Sequence, residues 1–464
     1  MKSKTRESRP AVSPARAAAF DILLRIERES SYASELLHSR NYASLSTMDH
    51  SLATELVMGV LRWQSLLDSR IAEGSAQALS KLDLEILIAL RLAVYQLGWL
   101  SRIPSRAAIN ESVELVKRAR KRSAAPFVNA VLRKISGGNL QSSEFVFPEI
   151  SGDSTEELAA SSAHPSWIVE RWVQAYGLAI AREICGYNQS VPVTAIRLRR
   201  AEAEEQLRAE GVELAPGALL ASARRVIRGD ITAAASSRAG RWIIQDEGSQ
   251  LVAALVGVGE QILECCAAPG GKTLALADRN PKARLDAVEL HPHRARLLRR
   301  LMYANDDVDK INQNNIRVIA ADARNLPFAA QFDRVLADVP CSGTGTLSRN
   351  PEIKWRLTPA DLLELQSRQL AILRSAMARV ATGGRVVYST CSLEREENED
   401  VIERVIAEDA TFRLIDSGLE LHRLQEQKEL VWTDLATLTR GPYLRTLPGI
   451  QPCDGFFAAI LEKI

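Results

Sequence analysis

Along this chain the spacing of apolar positions changes character partway. Through residues 13–135 they recur at helical intervals, with no stretch of strict alternation. The segment "SPARAAAFDILLRIERES" opens the region with Ser13 as an N-cap and Pro14 at the first helical position, the order that a helix start favours. Further helices are predicted over about 49–73, 83–99, 105–121 and 125–135. The most apolar run, "LEILIALRLAVYQLGWL" (84–100), is broken by Glu85, Arg91 and Gln96. It therefore predicts a helix buried in an all-α domain, not a membrane span.

Periodicity then lapses. Residues 136–157 are enriched in glycine, serine and acids, which predicts a linker. After it, "HPSWIVERWVQAYG" (164–177) reads as a helix. "TAIRLRR" (194–200) and "ARRVIRG" (223–229) read as arginine-rich strands around a helix, "AEAEEQLRAEG". From about 240 onward short apolar runs alternate with helical ones: "QILECC", "RLDAVEL", "IRVIAA", "FDRVLADV", "GGRVVYST" and "GFFAAILEKI". The helix "TPADLLELQSRQLAILRSAMARV" opens with Thr358, Pro359 and Asp361, a strong start signal. Such alternation predicts a parallel, doubly wound sheet. The expected organisation is a helical domain over 1–140, a linker over 141–163, a small α+β domain over 164–238, and an α/β domain over 239–464.

Composition narrows the picture. With 46% hydrophobic and 25% charged residues the chain reads as a globular protein. Six cysteines without a CxxC pair and six scattered histidines argue against a metal site and for a reduced, cytoplasmic protein. The basic start "MKSKTRESRPAVSP" lacks the apolar core of a signal peptide. Charge is uneven: residues 1–140 carry +8 and the remainder −6. A basic module joined to a mildly acidic one suggests a polyanionic partner. The run "VKRARKR" (116–122) places five cations where they offset a helix terminus or contact phosphates.

Candidate chemistry lies in the α/β region. "LECCAAPGGKT" (263–273) ends like a P-loop, but Cys266 stands where the first glycine is required and Pro269 stiffens the middle. What remains is a strand, a glycine-rich turn and a helix at the carboxyl edge of a parallel sheet, where ligands bind. Glu289 ends the next strand, 18 residues after Gly271, at the place where a carboxylate grips ribose hydroxyls. The glycine spacing does not suit a dinucleotide, and S-adenosylmethionine fits better than NAD. Asp322 ends the following strand, placed to meet an adenine edge.

Two cysteines, Cys341 in "DVPCSGTGT" (338–346) and Cys391 in "YSTCSLEREENED" (388–400), leave strand ends of the same sheet. A thiolate that adds to C6 of a cytosine turns C5 into an enamine carbon able to accept a methyl group. A helix start directly after Cys391 would lower its thiol pKa. The acids Glu394, Glu396, Glu397, Glu399 and Asp400 are expected to form a capped, solvated helix start, with one acid at the active site left open.

Together, "ECCAAPGGKT", "DVPCSGTGT" and "YSTCSLEREENED" resemble the RsmB/Sun (Fmu) cytosine-C5 RNA methyltransferases of the NOL1/NOP2/Sun superfamily. Residues 13–135 look like a NusB-type RNA-binding domain, and "HPSWIVERW" and "DGFFAAIL" match the small-subunit ribosomal RNA branch. The resemblance implies an all-α NusB-like domain, a small α+β domain and a Rossmann-type methyltransferase domain. It implies Cys391 as nucleophile, Cys341 as the group that helps resolve the covalent adduct, and Asp338 at the cytosine N3/amino edge or the cofactor's methionine end. S-adenosylmethionine would lie against Cys266, Ala267, Ala268, Pro269, Gly270, Gly271 and Lys272, with Glu289, Asp322 and Asp338. Glu289 departs from the aspartate often found there. The implied partner is small-subunit ribosomal RNA, with no membrane and no metal, and the protein a monomer. A tRNA cytosine-C5 methyltransferase and a non-catalytic NusB-like RNA-binding factor remain as alternatives.

Overall fold

The structure, a computed structural model, describes residues 12–29, 31–137, 149–231, 240–303 and 315–464. Residues 141–148 of the expected linker and 1–11 of the basic start therefore lie outside the described residues, while Thr155–Ser161 of that linker forms a helix. The chain divides into two compact units, one of residues 1–190 with 347–356, the other of 191–346 with 357–464. This is not the expected division at 163/164. The helices Ser166–Tyr176 and Leu178–Gln189 belong with the helical unit, and the second unit begins only beyond Ser190.

In the helical unit the predicted elements appear as Pro14–Glu29, Thr47–Gly74, Leu84–Trp99, Ser105–Arg118 and Ala125–Ile135. Leu84–Trp99 is apolar all round and buried over most of its length, which explains its weak amphipathic pattern. Thr47–Gly74 breaks helical geometry at Trp63. Carbonyls of the turn before the break accept side-chain donors: Leu61 O takes Trp355 Nε1 at 2.6 Å, while Arg62 O takes Lys354 Nζ at 2.8 Å and Gln189 Nε2 at 2.9 Å. Residues 347–356 thus belong to the helical unit although they are flanked by the other. In the cationic run, Lys117, Arg118 and Lys121 each pair with an acid, Glu114, Asp21 and Asp83.

The second unit holds two sheets. In the smaller, β1 (Ala195–Leu198), β2 (Glu213–Pro216), β3 (Ala223–Arg228) and β4 (Trp242–Ile244) pair antiparallel in the order β2-β3-β1-β4. Only β1 and β3 were legible as strands. The arginines of β1 have a structural use: Arg197 and Arg199 both bind Asp278 on the helix Gly271–Arg279, at 2.8 and 2.6 Å. Burial opposes the Asp278 charge, but these guanidiniums outweigh it and hold its pKa low.

The larger sheet is built from β5 (Gln261–Cys265), β6 (Arg284–Glu289), β7 (Ile316–Ala320), β8 (Phe332–Asp338), β9 (Val380–Thr390), β10 (Phe412–Ile415), β11 (Thr439–Arg440), β12 (Tyr443–Arg445) and β13 (Phe457–Lys463). Its order is β11-β12-β13-β9-β8-β5-β6-β7, with β10 pairing β13. Strands β7, β6, β5, β8 and β9 run parallel, as expected. The fully parallel expectation fails beyond β9, where β13 pairs antiparallel and brings β10 and β12 with it. An apolar strand run carries no mark of its direction, so the sequence did not reveal this. The helix Pro359–Met377 starts with a Thr358/Asp361 capping box and packs Leu370, Leu373, Ala376 and Met377 against the sheet.

Candidate active site

Strand order places the chemistry. The sequence runs outward from β5 to β6 and β7, then returns to β5's other side with β8 and β9. The loops after β5, β8 and β9 therefore leave neighbouring strands at the point where a doubly wound sheet opens a crevice. Register matches this: Cys265 pairs Ala337, Ala337 pairs Tyr388, and Asp338 pairs Ser389. Lys272, Asp338, Cys341 and Cys391 are thereby brought together.

After β5, Cys266 takes a left-handed conformation, and Ala267 N donates to Val288 O at 2.8 Å. Ala268 and Pro269 lead to Gly270 at φ +114°, where an added Cβ would lie 2.6 Å from Leu298 Cδ1. Gly271 then begins the helix Gly271–Arg279. Lys272 Nζ binds Asp338 Oδ2 at 2.8 Å and sits 5.3 Å from the Phe456 ring centre. Burial disfavours the ammonium, but the Asp338 carboxylate outweighs it and raises the Lys272 pKa. The other Asp338 oxygen accepts Ser389 Oγ at 2.7 Å.

Glu289 is buried and accepts His291 N at 3.0 Å and Ala268 N at 3.3 Å, so it ties its own strand end to the loop. Asp322 stands apart in character: it is partly exposed, caps the turn Ala323–Asn325 and is gripped by Arg324 at 2.6 Å. Sequence reasoning passed over Glu264. Burial pushes its carboxyl up to about 8. Glu264 Oε2 and Thr273 Oγ1 are buried and make no hydrogen bond, though the hydroxyl is near enough to favour the carboxylate. A buried carboxyl oxygen and a hydroxyl, neither hydrogen-bonded, beside a glycine turn fit a ligand that brings hydroxyls and a cationic centre, as S-adenosylmethionine does. The signal was present as a lone acid inside the apolar run "QILECC".

Across the crevice the two thiols lie close, with Cys341 Sγ 3.3 Å from Cys391 Sγ. Cys341 is held well above the usual thiol range by its hydrogen bond to Cys391, by burial and by the neighbouring Cys391 charge, with Glu397 adding to these. Cys265 is pushed up to about 12 by burial, and Cys266 is also raised, chiefly by burial. Burial thus keeps both of these thiols in the protonated form.

The acidic run does not form the expected solvated helix start. The helix Glu399–Glu408 begins eight residues after Cys391, so no helix terminus stands at the thiol. Glu394 and Glu397 are buried, and Glu399 binds Arg445 at 3.0 Å. A buried acid needs donors, and here the strand-end loops supply them. Among the described residues no cluster of His, Cys, Asp and Glu could hold a metal, and no helix is long and apolar enough to cross a membrane.

Comparison with known proteins agrees with this arrangement. A family model for 16S rRNA methyltransferase RsmB/F matches residues 256–462, and a NusB family model matches residues 13–137. The chain is 33% identical to a probable ribosomal RNA small subunit methyltransferase B of Bacillus subtilis, covering 96% of this chain and 98% of that protein. A protein of the same description from Synechocystis is 31% identical, over 97% of this chain and 99% of its own. The fold is similar to that of PH0851, with a TM-score of 0.77 at 22% identity over 98% of this chain and 100% of that one. With the crevice geometry and these relatives in agreement, the chain belongs to the RsmB/F family of S-adenosylmethionine-dependent methyltransferases that act on small-subunit ribosomal RNA.

Proposed function

We propose that the protein methylates C5 of a cytosine in small-subunit ribosomal RNA through a covalent adduct between Cys391 and C6. The observation that carries this reading is the 3.3 Å approach of the Cys341 and Cys391 sulfurs beside Asp338. Two thiols sharing such a site cannot both ionise readily. Cys341, whose thiol is held well above its usual range, keeps its proton, which leaves Cys391 to attack as thiolate.

Attack at C6 consumes the C5–C6 double bond and moves its electrons into a C4–C5 enamine, whose nucleophilic end is C5. Residues 266–272, Glu289 and Asp322 would hold S-adenosylmethionine, which when bound would supply an electrophilic methyl group to C5 and leave as S-adenosylhomocysteine. Lys272 and Ser389 hold the Asp338 carboxylate at the crevice, where it can accept from the cytosine N3/amino edge. To finish, the C5 proton leaves to a base, the C5–C6 double bond re-forms, and the C6–S bond breaks to return the Cys391 thiolate. Cys341 assists that elimination from its place beside the departing sulfur. The basic helical unit, with its NusB-family match, holds RNA by its phosphates while the target base is presented unpaired.

The test is methyl transfer from labelled S-adenosylmethionine to small-subunit ribosomal RNA and to tRNA, with denaturing gels to trap protein–RNA adducts. Wild type is expected to label ribosomal RNA, Cys391→Ala to bind RNA without labelling it, and Cys341→Ala to accumulate adduct. An adduct that requires Cys341 would reverse the two roles. Transfer to tRNA alone would replace the substrate.

A further inference from the structure

We propose that Glu397 is a positioning residue that sets the separation of the two thiols by serving as one buried acceptor for both cysteine loops. The proposal rests on the reading of Cys341 and Cys391 as the reacting pair. Each cysteine is followed by a serine, Ser342 and Ser392, and both serines end on this carboxylate. Oε2 accepts Ser342 Oγ and Ser392 Oγ, each at 2.5 Å, and Oε1 accepts Ser342 N and Gln369 Nε2, each at 2.8 Å.

A carboxylate serves this geometry. It is acceptor-only, with room for four donors, whereas an amide would turn an NH₂ toward hydroxyl groups. Ser392 Oγ also accepts Glu394 N at 3.0 Å and lies 3.0 Å from Ser342 Oγ, so the two serines meet each other as well as the carboxylate. Glu397 has no exposure at all and its four donors replace water. Glu397 is itself fixed at both its main chain and its side chain. Tyr388 OH on β9 donates to Glu397 O at 2.6 Å, and Gln369 reaches on to Pro340 O at 3.0 Å. The position of β9 is thus passed through one side chain to the loop that carries Cys341.

The test compares wild type, Glu397→Gln, Cys341→Ala and the double variant in single-turnover methyl transfer with adduct trapping. Glu397→Gln is expected to slow adduct resolution about 10–100-fold, as a misplacement on the scale of an ångström does, with the Kd for S-adenosylmethionine unchanged. Adduct accumulates as in Cys341→Ala, and the double variant is no slower than Cys341→Ala alone. Wild-type turnover, multiplicative losses in the double variant, or a cofactor affinity that falls in step with rate would each overturn the proposal. Should Glu397→Gln fail to fold, Ser342→Ala, which keeps the carboxylate, carries the same expectation at about 3–10-fold. Failure of the underlying reading is seen separately, as methyl transfer persisting in Cys391→Ala.

Discussion

The two sides of the crevice are held together differently. On the thiol side, Gly345 N donates to Cys391 O at 2.9 Å, Leu393 N donates to Thr344 Oγ1 at 2.9 Å, and Glu397 joins both loops. These bonds tie the two cysteine loops to one another, although Gln369 Oε1 stays without a partner. On the cofactor side, the loop after β5 takes its shape from Gly270 and from Ala267 N on Val288 O, while Glu264 Oε2 and Thr273 Oγ1 stay without hydrogen bonds. Covalent attack needs atoms placed in advance, so the thiol loops are tied before substrate arrives. A cofactor that leaves every turnover can instead complete its own side on binding, and stabilises the fold as it does so.

The hardest blow to this contrast would come at Gly345. An added Cβ would stand 2.2 Å from Gly455 O and 2.9 Å from Cys391 O, both backbone atoms that cannot swing aside. Gly345→Ala is therefore expected to cost about 1–3 kcal/mol of stability and at least roughly 100-fold in single-turnover transfer. Thermal unfolding and rapid-quench assays read the two effects. A normal rate would mean that the thiol loops are not pre-set.

On the cofactor side Glu264 gives a pH signature. Its folded pKa of about 8 lies above its ordinary value of 4.5, so the folded state holds the proton more tightly than the unfolded chain. Its contribution to stability is full below about pH 4.5, falls as pH rises, and is lost above about pH 8, with a slope of at most about 1.4 kcal/mol per pH unit. Denaturant titrations of Glu264→Gln should lack that slope. A cationic ligand beside this acid would favour its charged form, so cofactor binding near pH 7 should release a proton, measurable by calorimetry in two buffers. A smaller effect is expected from Gly270→Ala, which forces an alanine to φ +114° and costs about 1–3 kcal/mol. Most of it should appear as weaker cofactor binding, because the clash is with the movable Leu298 side chain.

How much of this was readable beforehand differs between the two sides. The helices through residue 135, the five parallel strands and the strand-end positions of Cys341 and Cys391 followed from period and from strong start signals at Pro14 and Thr358. The short strands β2, β4, β10, β11 and β12 were not legible, because so few residues leave little room for alternation. Glu394 and Glu397 were misread as solvated, since local charge density says nothing about donors arriving from Ser342 and Gln369 far away in sequence. Helical period also could not tell that Ser166–Tyr176 packs with the N-terminal helices, because an amphipathic face does not name its partner.

The smallest effect sharpens the contrast furthest from the thiols. Asp322 is bound by Arg324 at 2.6 Å, both largely in solvent, and this hydrogen bond is the first cause of its lowered pKa. Exposed pairs of this kind are screened, so Arg324→Ala should leave Tm unresolved from wild type. Asp322 would still cap the turn through Arg324 N at 2.9 Å, a backbone contact that survives the substitution. With its side-chain partner gone, the carboxylate is freer to meet an adenine edge. Affinity for S-adenosylmethionine, read by isothermal titration, is then expected to rise by about two- to threefold. A fall instead would assign the adenine contact to the guanidinium. The cofactor side would then own a preformed arm and resemble the thiol side more than its unpaired acceptors suggest.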